Sequence, residues 1–459
     1  MRFYKKWLDF LVLVLMTILL LTAPAFAVSN EFAVGSGTED DPYLILSKTD
    51  LDNVRNYPNA CFRMVGDINF TADDFAEDGQ FYHNGAGWVP ITYFSGTFDG
   101  GGYTISGLTS VLTETGRMGL FSRNEGTILS LRLADIDWDA TESPADTKLG
   151  LILIGGIAAE NGGLIEGCAV DGNIRISAHV SDVMDSYLGG IAGKNSGTIQ
   201  CCANMSLVES QYSAFSDANR TGGITGANNG LISRCHNTGC VEGGKYSGGI
   251  AAINTQTVED CFNIGTVSAK KHYKEDIIIS GGICGTSSGI VRTCYNAGRV
   301  AGAIQDPCVS INTGSTSNCY YYDWAVNRKD HPAGLSTLEM QQPQSFSGFD
   351  FNTVWTFAPD SNYPFPVLQN MTSINVPVYD ATDFSGGSGL PWDPYQISMK
   401  EQFSSIRWYP KACYLLTDDI DLTEGDYGQE YDFQGFFDGG GYTIRLLEPS
   451  YVNYDESTI

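Results

Sequence analysis

Apolar residues in the middle of the chain recur at fixed positions within five segments that resemble one another. Each segment begins with a pair of glycines, the first being Gly155, Gly189, Gly222, Gly248 or Gly281, so successive copies lie 26 to 34 residues apart. The third position is isoleucine in all five: Ile157, Ile191, Ile224, Ile250 and Ile283. The fourteenth position is cysteine in all five: Cys168, Cys202, Cys235, Cys261 and Cys294. A sixth, weaker copy begins at Met118.

These columns predict short strands that stack in register. β-Branched residues separated by Gly, Asn and Ser are typical of strands joined by tight turns. One such unit cannot bury its own apolar side, whereas stacked units bury a continuous core. We therefore predict an all-β fold, a right-handed parallel β-helix with short capping helices. A β-propeller is the alternative, but its blades usually need about 40 residues or more.

The cysteine column has two interpretations. Twelve cysteines favour a disulfide framework if the chain is secreted. However, Leu131 fills the same column in the sixth copy, and stacked residues about 4.8 Å apart exceed the Cβ separation of about 3.8 Å that a disulfide prefers. We expect a buried column of reduced thiols. We do not expect a metal there, because a column does not bring four ligands to one point.

A second polar column lies two residues after the cysteines. Its members are Val170, Asn204, Asn237, Asn263 and Asn296. Stacked asparagines can bond one another and the bent backbone of a corner. We expect a structural ladder at a corner of the coil, with a ligand site as the alternative.

The repeated segments resemble the GLUG-motif repeat of bacterial secreted and surface proteins. The best matches are GGICGTSSGIVRTCYNAGRV and GGIAAINTQTVEDCFNIGTV, although the second departs from the pattern at Thr255–Thr257. Similar repeats occur in the non-catalytic region of bacterial immunoglobulin A metallopeptidases. The resemblance covers about residues 28–370. It implies a parallel β-helix on a secreted or surface protein, and it implies no particular ligand.

The flanking sequences predict how the stack begins and ends. Residues 28–117 hold GSGTEDDPYLI and FSGTFDGGGYTISGL and are expected to form opening coils below a short helix. Repeat coils are expected over 118–314 and a C-terminal cap over 315–370, which includes a capping box at Ser336 and Glu339. Covers are needed because a terminal coil has unpaired strand edges.

A second copy of the opening module follows a predicted linker over 371–389. GSGLPWDPYQI repeats GSGTEDDPYLI at a constant offset of 352 residues, and FQGFFDGGGYTI repeats FSGTFDGGGYTI after a 13-residue deletion. We expect residues 390–459 to form a truncated second opening module. It should be the least stable part of the chain, because a solenoid unit depends on its neighbours.

The first 27 residues predict an export signal. They combine three cationic side chains, the apolar run Phe10–Leu21 and the cleavage-type sequence Ala25-Phe26-Ala27. An anchoring helix is the alternative, but the run is shorter than the roughly 20 residues needed to span a bilayer. We expect a mature chain that is secreted, extracellular or at the cell surface, with no membrane span.

Charge and composition exclude two classes of protein. The formal net charge is −27, with 53 acidic and 26 basic residues, so nucleic acid is not an expected partner. Apolar residues make up 42% and aromatic residues 12%, which excludes a disordered chain.

The sequence assigns no catalytic residue. None of the five histidines lies in an H-E-x-x-H motif, no P-loop is present, and we expect no serine-nucleophile elbow. Asp135, Asp137 and Asp139 alternate and are expected to share one strand face. A solvated surface is the simpler interpretation; calcium, the one cofactor considered, is the functional one.

Variable inserts leave the coils at one point and are expected to line one side of the solenoid. Function in repeat proteins tends to lie on such a loop-built face. Exposed tyrosines there could stack on sugars or contact protein, although ordinary loop composition is the alternative. The candidate ligand-binding residues are Tyr187, Tyr212, Phe215, Tyr246, Tyr273 and Lys271.

We therefore predict a non-catalytic, surface-exposed β-helix that serves adhesion or binds a glycan or a host or cell-surface protein. The alternatives are a carbohydrate-active β-helix enzyme of the lyase or hydrolase type, and an accessory segment of a larger surface peptidase. Carboxylates clustered beside Arg or Lys in one groove would favour the enzyme, and a flat tyrosine-lined face would favour binding. The sequence assigns no oligomeric state.

Overall fold

The computed structural model describes residues 32–113, 116–141, 150–177, 185–210, 219–269, 278–302, 304–323, 333–357, 363–369, 371, 379, 381–422, 433 and 435–446. The predicted export signal and parts of the inter-coil inserts lie outside these ranges.

Within these residues the chain forms stacked coils whose strands build four parallel sheets, which we number 1 to 4 in the order that a coil visits them. One coil runs from Asp185–Gly189 in sheet 1 through Ala192–Asn195 in sheet 2 and Thr198–Gln200 in sheet 3. It ends with Ala203–Asn204 and Leu207–Ser210 in sheet 4. Strands of successive coils pair in parallel. The predicted all-β parallel β-helix is confirmed.

The strands of each sheet follow the coils along the chain. Sheet 1 contains Gly116–Met118, Leu151–Gly155, Asp185–Gly189, Asn219–Gly222, Tyr246–Gly248, Ile279–Gly281 and Ile304–Asp306. Sheet 2 contains Phe121–Asn124, Ala158–Asn161, Ala192–Asn195, Thr225–Asn228, Ala251–Asn254, Cys284–Ser287 and Val309–Asn312. Sheet 3 contains Tyr43–Ile45, Cys61–Met64, Thr97–Asp99, Thr127–Leu129, Leu164–Glu166, Thr198–Gln200, Leu231–Ser233, Thr257–Glu259, Ile290–Arg292 and Ser315–Ser317. Sheet 4 contains Ile68–Asn69, Thr104–Ser106, Thr109–Leu112, Arg132–Ala140, Ala169–Ile176, Ala203–Asn204, Leu207–Ser210, His236–Asn237, Val241–Gly243, Phe262–Asn263, Val267–Ala269, Tyr295–Asn296, Val300–Ala301, Tyr320–Tyr322 and Gly334–Leu335.

The glycine pair turns the chain from sheet 1 into sheet 2. A Cβ atom added at Gly189 would lie 2.1 Å from the carbonyl oxygen of Ala192, and one at Gly190 would lie 2.2 Å from the side chain of Asn204. The backbones therefore approach too closely at this corner for any side chain. This close approach explains why the pair recurs in each copy.

The apolar columns fill the interior. The five repeat isoleucines are 0% exposed and the five repeat cysteines are at most 1% exposed. In sheet 3, Ile165, Ile199, Ile232, Val258 and Val291 are direct register partners from coil to coil. Like residues thus stack on like, and each coil buries the apolar side of its neighbour.

Two asparagine ladders run through the stack. One links Asn204, Asn237, Asn263 and Asn296, each side-chain amide donating to the next side-chain oxygen at 2.7–2.8 Å. The other, which the sequence analysis did not identify as a ladder, links Asn124, Asn161, Asn195, Asn228 and Asn254 at 2.8–2.9 Å. These buried amides also donate to nearby backbone carbonyls. The ladders therefore satisfy the polar groups of two corners.

All twelve cysteines are free thiols in the structure. In the column, the thiol of Cys202 donates to the carbonyl of Gln200 at 3.2 Å, and that of Cys261 donates to the carbonyl of Glu259 at 3.1 Å. Burial raises the pKa of the Cys168 thiol. The residue before the column turns the chain with a left-handed φ in several copies, as at Cys201, Arg234, Asp260 and Thr293.

Short helices cover the start of the stack and shape its end. Lys48–Asn53 begins at Ser47, whose hydroxyl accepts from the Asp50 N–H at 3.1 Å, and buries Leu51. Near the other end, Thr337–Met340 begins with the predicted capping box of Ser336 and Glu339. The third α-helix described is Lys400–Ser405, and the 3₁₀ segments are Val54–Asn56, Ala72–Phe75, His83–Gly85, Pro343–Ser345 and Ile406–Trp408.

The C-terminal cap packs on the outer side of sheet 4. His236, Phe262 and Tyr295 form a stacked ring column there, with centroids 5.1 and 5.2 Å apart and interplanar angles of 8° and 2°. Trp355 lies against Phe262 and Tyr295, and the hydroxyl oxygens of Tyr295 and Tyr363 are 2.8 Å apart. The antiparallel strands Trp355–Phe357 and Pro366–Leu368 hold these cap residues. Burial lowers the pKa of His236 to about 4.

The second module repeats the first in detail. Its strands are Tyr395–Ile397, Cys413–Leu416, Ile420–Leu422, Phe436–Asp438 and Ile444–Leu446, and they surround a small apolar core of their own. It also contacts the first unit: Trp392 packs edge-on against Tyr363 and Phe365, and Arg299 donates to the Gly435 carbonyl at 2.7 Å. The expected lower stability of this module stays a prediction.

No helix in the described parts of the chain is both long and apolar enough to cross a membrane.

Candidate ligand-binding face

The outward side chains of sheets 1 and 2 form a charged and aromatic face. In sheet 1, the residue two positions before each glycine pair is Leu153, Tyr187, Arg220, Tyr246 or Ile279, and these are register partners from coil to coil. In sheet 2, the corresponding partners are Glu160, Lys194, Ala227, Ile253 and Thr286. The alternation turns these positions away from the core. Leu153 and Ile279 are nevertheless buried, at 0% and 4% exposed, so Tyr187, Arg220 and Tyr246 are the partly exposed members of the sheet 1 column.

Tyr187 lies at the centre of this face. The Lys194 Nζ atom is 3.9 Å from the centre of the Tyr187 ring, and the Arg220 Cζ atom is 4.5 Å from it. Arg220 also forms an ion pair with Asp185 at 2.7 Å, and Arg117 forms one with Glu160 at 3.2 Å. We call this group, Arg117, Glu160, Asp185, Tyr187, Lys194 and Arg220, the Tyr187 patch.

The patch is locally cationic on a strongly acidic protein. Arg117, Lys194 and Arg220 outnumber the two carboxylates of the patch, and Lys245 adds a cation beside Tyr246, 5.7 Å from the ring centre. Burial lowers the pKa of Lys194 and raises the pKa of Tyr187. Both shifts have the same cause, since partial removal from water disfavours the charged form of each group.

The structure brings together two of the predicted ligand-binding residues. Tyr187 and Tyr246 stand in one column of sheet 1 with Arg220 between them. Cations already cover the Tyr187 ring, so its face is less open to a sugar than the sequence suggested. Tyr212, Phe215, Lys271 and Tyr273 lie outside the described residues.

The predicted acidic strand is broken by a bulge. Asp135 has a left-handed φ of 51°, and the register shifts between Leu133 and Ile136. The three aspartates still alternate with the buried Ile136, Trp138 and Ala140, but the bulge leaves Asp135 outside the register of the two paired strands. The role of the aspartates as a calcium site stays a prediction. Asp137 and Asp139 both pair with Arg175, at 3.1 Å each.

The described residues hold no group of three or more His, Cys, Asp or Glu side chains that could bind a metal ion.

A sequence of the serine-nucleophile type does occur in the chain. Gly285–Gly289 reads G-x-S-x-G, contrary to the expectation of no such elbow. Ser287, however, is 2% exposed and accepts a hydrogen bond from Asn254 at 3.0 Å, at the end of an asparagine ladder. Its strand leads into the strand Ile290–Arg292 and not into a helix. Ser287 is thus a structural residue and not an exposed nucleophile.

Sequence reasoning missed Lys194, Arg220, Glu160 and Arg117. Lys194 lies inside the repeat motif, which predicts scaffold residues. Arg220 lies in an insert in which only the aromatic residues are predicted to bind a ligand. An alignment of the repeats that compares two positions, the one two residues before each glycine pair and the one five residues after its first glycine, would have found most of the patch.

Comparisons with known proteins give partial matches. A protein of Evansella cellulosilytica named "Putative Gly-rich membrane protein" is 34% identical over 151 residues, which cover 31% of this chain and 16% of that protein. "Halomucin" of Haloquadratum walsbyi is 36% identical over 90 residues, which cover 19% of this chain and 1% of that protein. The chain thus spans less than a fifth of the length of these curated relatives. No family model matches the chain, so the GLUG resemblance rests on the repeat segments themselves.

Two solved structures are similar. A "putative immunoglobulin A1 protease from Bacteroides ovatus" is 18% identical with a TM-score of 0.48, and the match covers 74% of this chain and 95% of that one. An IgA1 protease is 12% identical with a TM-score of 0.33, over 60% of this chain and 21% of that one. The fold assignment itself rests on the coils described above.

Proposed function

We propose that this chain is a non-catalytic, surface-exposed β-solenoid that binds an acidic glycan on the Tyr187 patch. The observation that supports this most directly is the gathering of Arg117, Lys194, Arg220 and Lys245 beside two tyrosines on one face of a chain of net charge −27. A local cationic face on an acidic body attracts an anionic polymer while the rest of the surface repels it.

A glycan fits this face better than an extended peptide. Peptides often bind a sheet by adding a strand to an open edge, but the patch consists of outward side chains on strands that are already paired on both sides. Carboxylates spaced along a polysaccharide could meet the stacked cations, and hydroxyl groups could bond Tyr187 and Tyr246. Arginine is well suited to carboxylate recognition because its planar guanidinium donates a hydrogen bond to each of the two oxygens.

The extracellular location belongs to the same proposal. The N-terminal sequence has the organisation of an export signal, and one partial relative is named as a membrane protein. A face that binds acidic glycans would act on a cell envelope or its surroundings.

Calorimetric titration at low salt tests the proposal. We expect polygalacturonate to bind and neutral dextran not to bind, and Lys194→Ala to weaken binding roughly tenfold, as expected for one charge-assisted contact. Arg292→Ala is the matched control, since it also removes one surface cation, here paired with Glu259, but from sheet 3. Equal binding of both polymers, or equal effects of the two substitutions, would refute the patch as the binding site.

A second candidate function is eliminative cleavage of a uronate polymer. The observation that favours it is Lys194, whose pKa is lowered by burial, next to Tyr187 and two arginines. Lys194 would remove the proton next to the uronate carboxylate, Tyr187 would protonate the leaving oxygen, and a carbon–carbon double bond would form in the sugar ring. Ultraviolet absorbance of the unsaturated product, absent in Lys194→Arg, would support cleavage over simple binding.

A further inference from the structure

The two opening modules share one construction but differ in what covers them. In both, an aspartate accepts a backbone N–H at the following glycine turn: Asp99 from Gly101 and Asp438 from Gly440, at 2.9 Å each. A second aspartate binds the next strand, Asp67 to the Thr104 N–H at 2.8 Å and Asp419 to the Thr443 N–H at 2.7 Å. The strands of the second module therefore have the same relative arrangement as those of the first.

In the first module the end of the opening coil is buried by the next coil. Leu51, Val54, Phe98 and Ile105 are all 0% exposed. The Phe121 ring of the following coil lies 5.8 Å from that of Phe98. Strand Thr97–Asp99 also pairs with Thr127–Leu129. The apolar end and its strand edge are thus covered together.

In the second module no strand or helix of the described residues covers the matching surface. The counterparts of Leu51, Val54, Phe98 and Ile105 are Phe403, Ile406, Phe437 and Ile444, and with Phe433 they line a hollow of about 240 Å³. Phe437 is half-buried where Phe98 is fully buried. Among the described residues, Ile444–Leu446 pairs with one strand only, whereas its counterpart Thr104–Ser106 pairs with a strand on each side. An apolar hollow beside such a strand edge suits a parallel strand that carries apolar side chains on its inward side.

We propose that this end of the second module is a docking face for one further parallel coil of the same repeat type, whose inward side carries bulky apolar residues as Leu120 and Phe121 do. The first module shows the required fit within the same chain, independently of any glycan binding. A second intact copy is a poorer occupant, because its own first module and helix Lys48–Asn53 already cover the side of its coils that would have to dock.

The first experiment measures whether the hollow is open. An environment-sensitive apolar dye should fluoresce with the full chain, and Phe437→Asp should remove most of that signal without changing the main thermal transition. Phe357→Asp, which also changes a partly buried aromatic residue on a short strand but in the cap, is the control and should retain the signal. An unchanged signal in Phe437→Asp would overturn the open hollow. Stronger binding by a chain ending at residue 446 would identify residues 447–459 as the occupant and overturn the proposal.

The second experiment supplies the coil. A copy of residues 108–369 is joined after Leu446, which corresponds to Gly107 of the first module. Hydrogen exchange at Ile444–Leu446 should slow at least tenfold, and the dye signal should fall. The same graft with Phe437→Asp should lose both effects. The proposal would be overturned if exchange at this strand stayed fast while the added coils were themselves protected. It would also be overturned if raising the concentration of the ungrafted chain slowed exchange equally, because the occupant would then be a second copy.

Discussion

The core columns and the Tyr187 patch are built from the same strands but obey different rules. Inward positions keep one residue type from coil to coil, as Ile191, Ile224 and Ile250 do at 0% exposure. Outward positions on sheets 1 and 2 change at each step, from Tyr187 to Arg220 to Tyr246. Stacking therefore constrains a residue only where the next coil covers it, and binding chemistry can vary where it does not.

The outer side of sheet 4 refines this comparison. His236, Phe262 and Tyr295 point outward, yet the cap buries them, and they form a ring column as regular as the core. Cover by the cap thus favours aromatic rings at these outward positions, while the residue type still changes from coil to coil. The following predictions test this comparison from the largest expected effect on stability to the smallest.

The largest effect is expected at the centre of a core column. Ile224→Asp places a carboxylate where the structure offers no charged partner in contact, so it should cost several kcal/mol, about 4 or more. Thermal unfolding followed by circular dichroism measures the loss, with Ile224→Val as the control at about 1 kcal/mol. A midpoint unchanged by the aspartate would show that the column does not face the core.

Much of this interior could be predicted from the sequence, because identical residues at equal intervals must stack. The Ile and Cys columns and the Asn204 ladder follow from spacing alone. The bulge at Asp135 could not be predicted, since the three-residue step from Leu133 to Ile136 fits a turn as well as a bulge.

Only part of the Tyr187 patch could be predicted from the sequence. Tyr187 and Tyr246 were identified as aromatic residues of the inserts, but Lys194 lies on the neighbouring sheet. Its approach to the Tyr187 ring depends on the angle between two sheets. That angle is set by the glycine corner and has no signature in residue types.

His236 should behave as a core residue despite facing outward. Its pKa in the folded protein is about 4, below the ordinary 6.5, so the unfolded chain takes up a proton first as the pH falls. Stability from the neutral ring is complete above pH 6.5 and is lost as the pH falls toward 4, by about 3 kcal/mol. His236→Phe, which extends the ring column, should remove this part of the pH dependence in urea titrations. The drop in unfolding free energy from pH 7 to pH 4 should therefore be smaller in His236→Phe than in the unsubstituted chain. Equal drops in the two chains would contradict the burial of His236.

Asn228 tests the ladder that the sequence analysis overlooked. Its amide donates to Asn254 at 2.9 Å and accepts from Asn195 at 2.8 Å, so Asn228→Ala removes both ladder bonds. It also removes the bond that the Gly230 N–H donates to the Asn228 side chain. We expect a loss of about 1–3 kcal/mol in urea unfolding. Asn229→Ala, the exposed neighbour on the same corner, should cost much less, and equal losses for both would argue against a continuous ladder.

The smallest effect on stability is expected in the patch, although its effect on binding is the largest. Lys194→Ala removes a cation–π contact worth about 0.5–1 kcal/mol, and it also relieves the partial burial of the charge that lowers the pKa of Lys194. These contributions oppose each other, so the unfolding free energy should change by no more than about 0.5 kcal/mol, as for most surface substitutions. Tyr187→Phe keeps the ring and both cation contacts and should change stability still less. If Lys194→Ala destabilised the chain as much as Asn228→Ala does, the outward columns would be part of the scaffold, and the separation between a repeated interior and a variable binding face would fail.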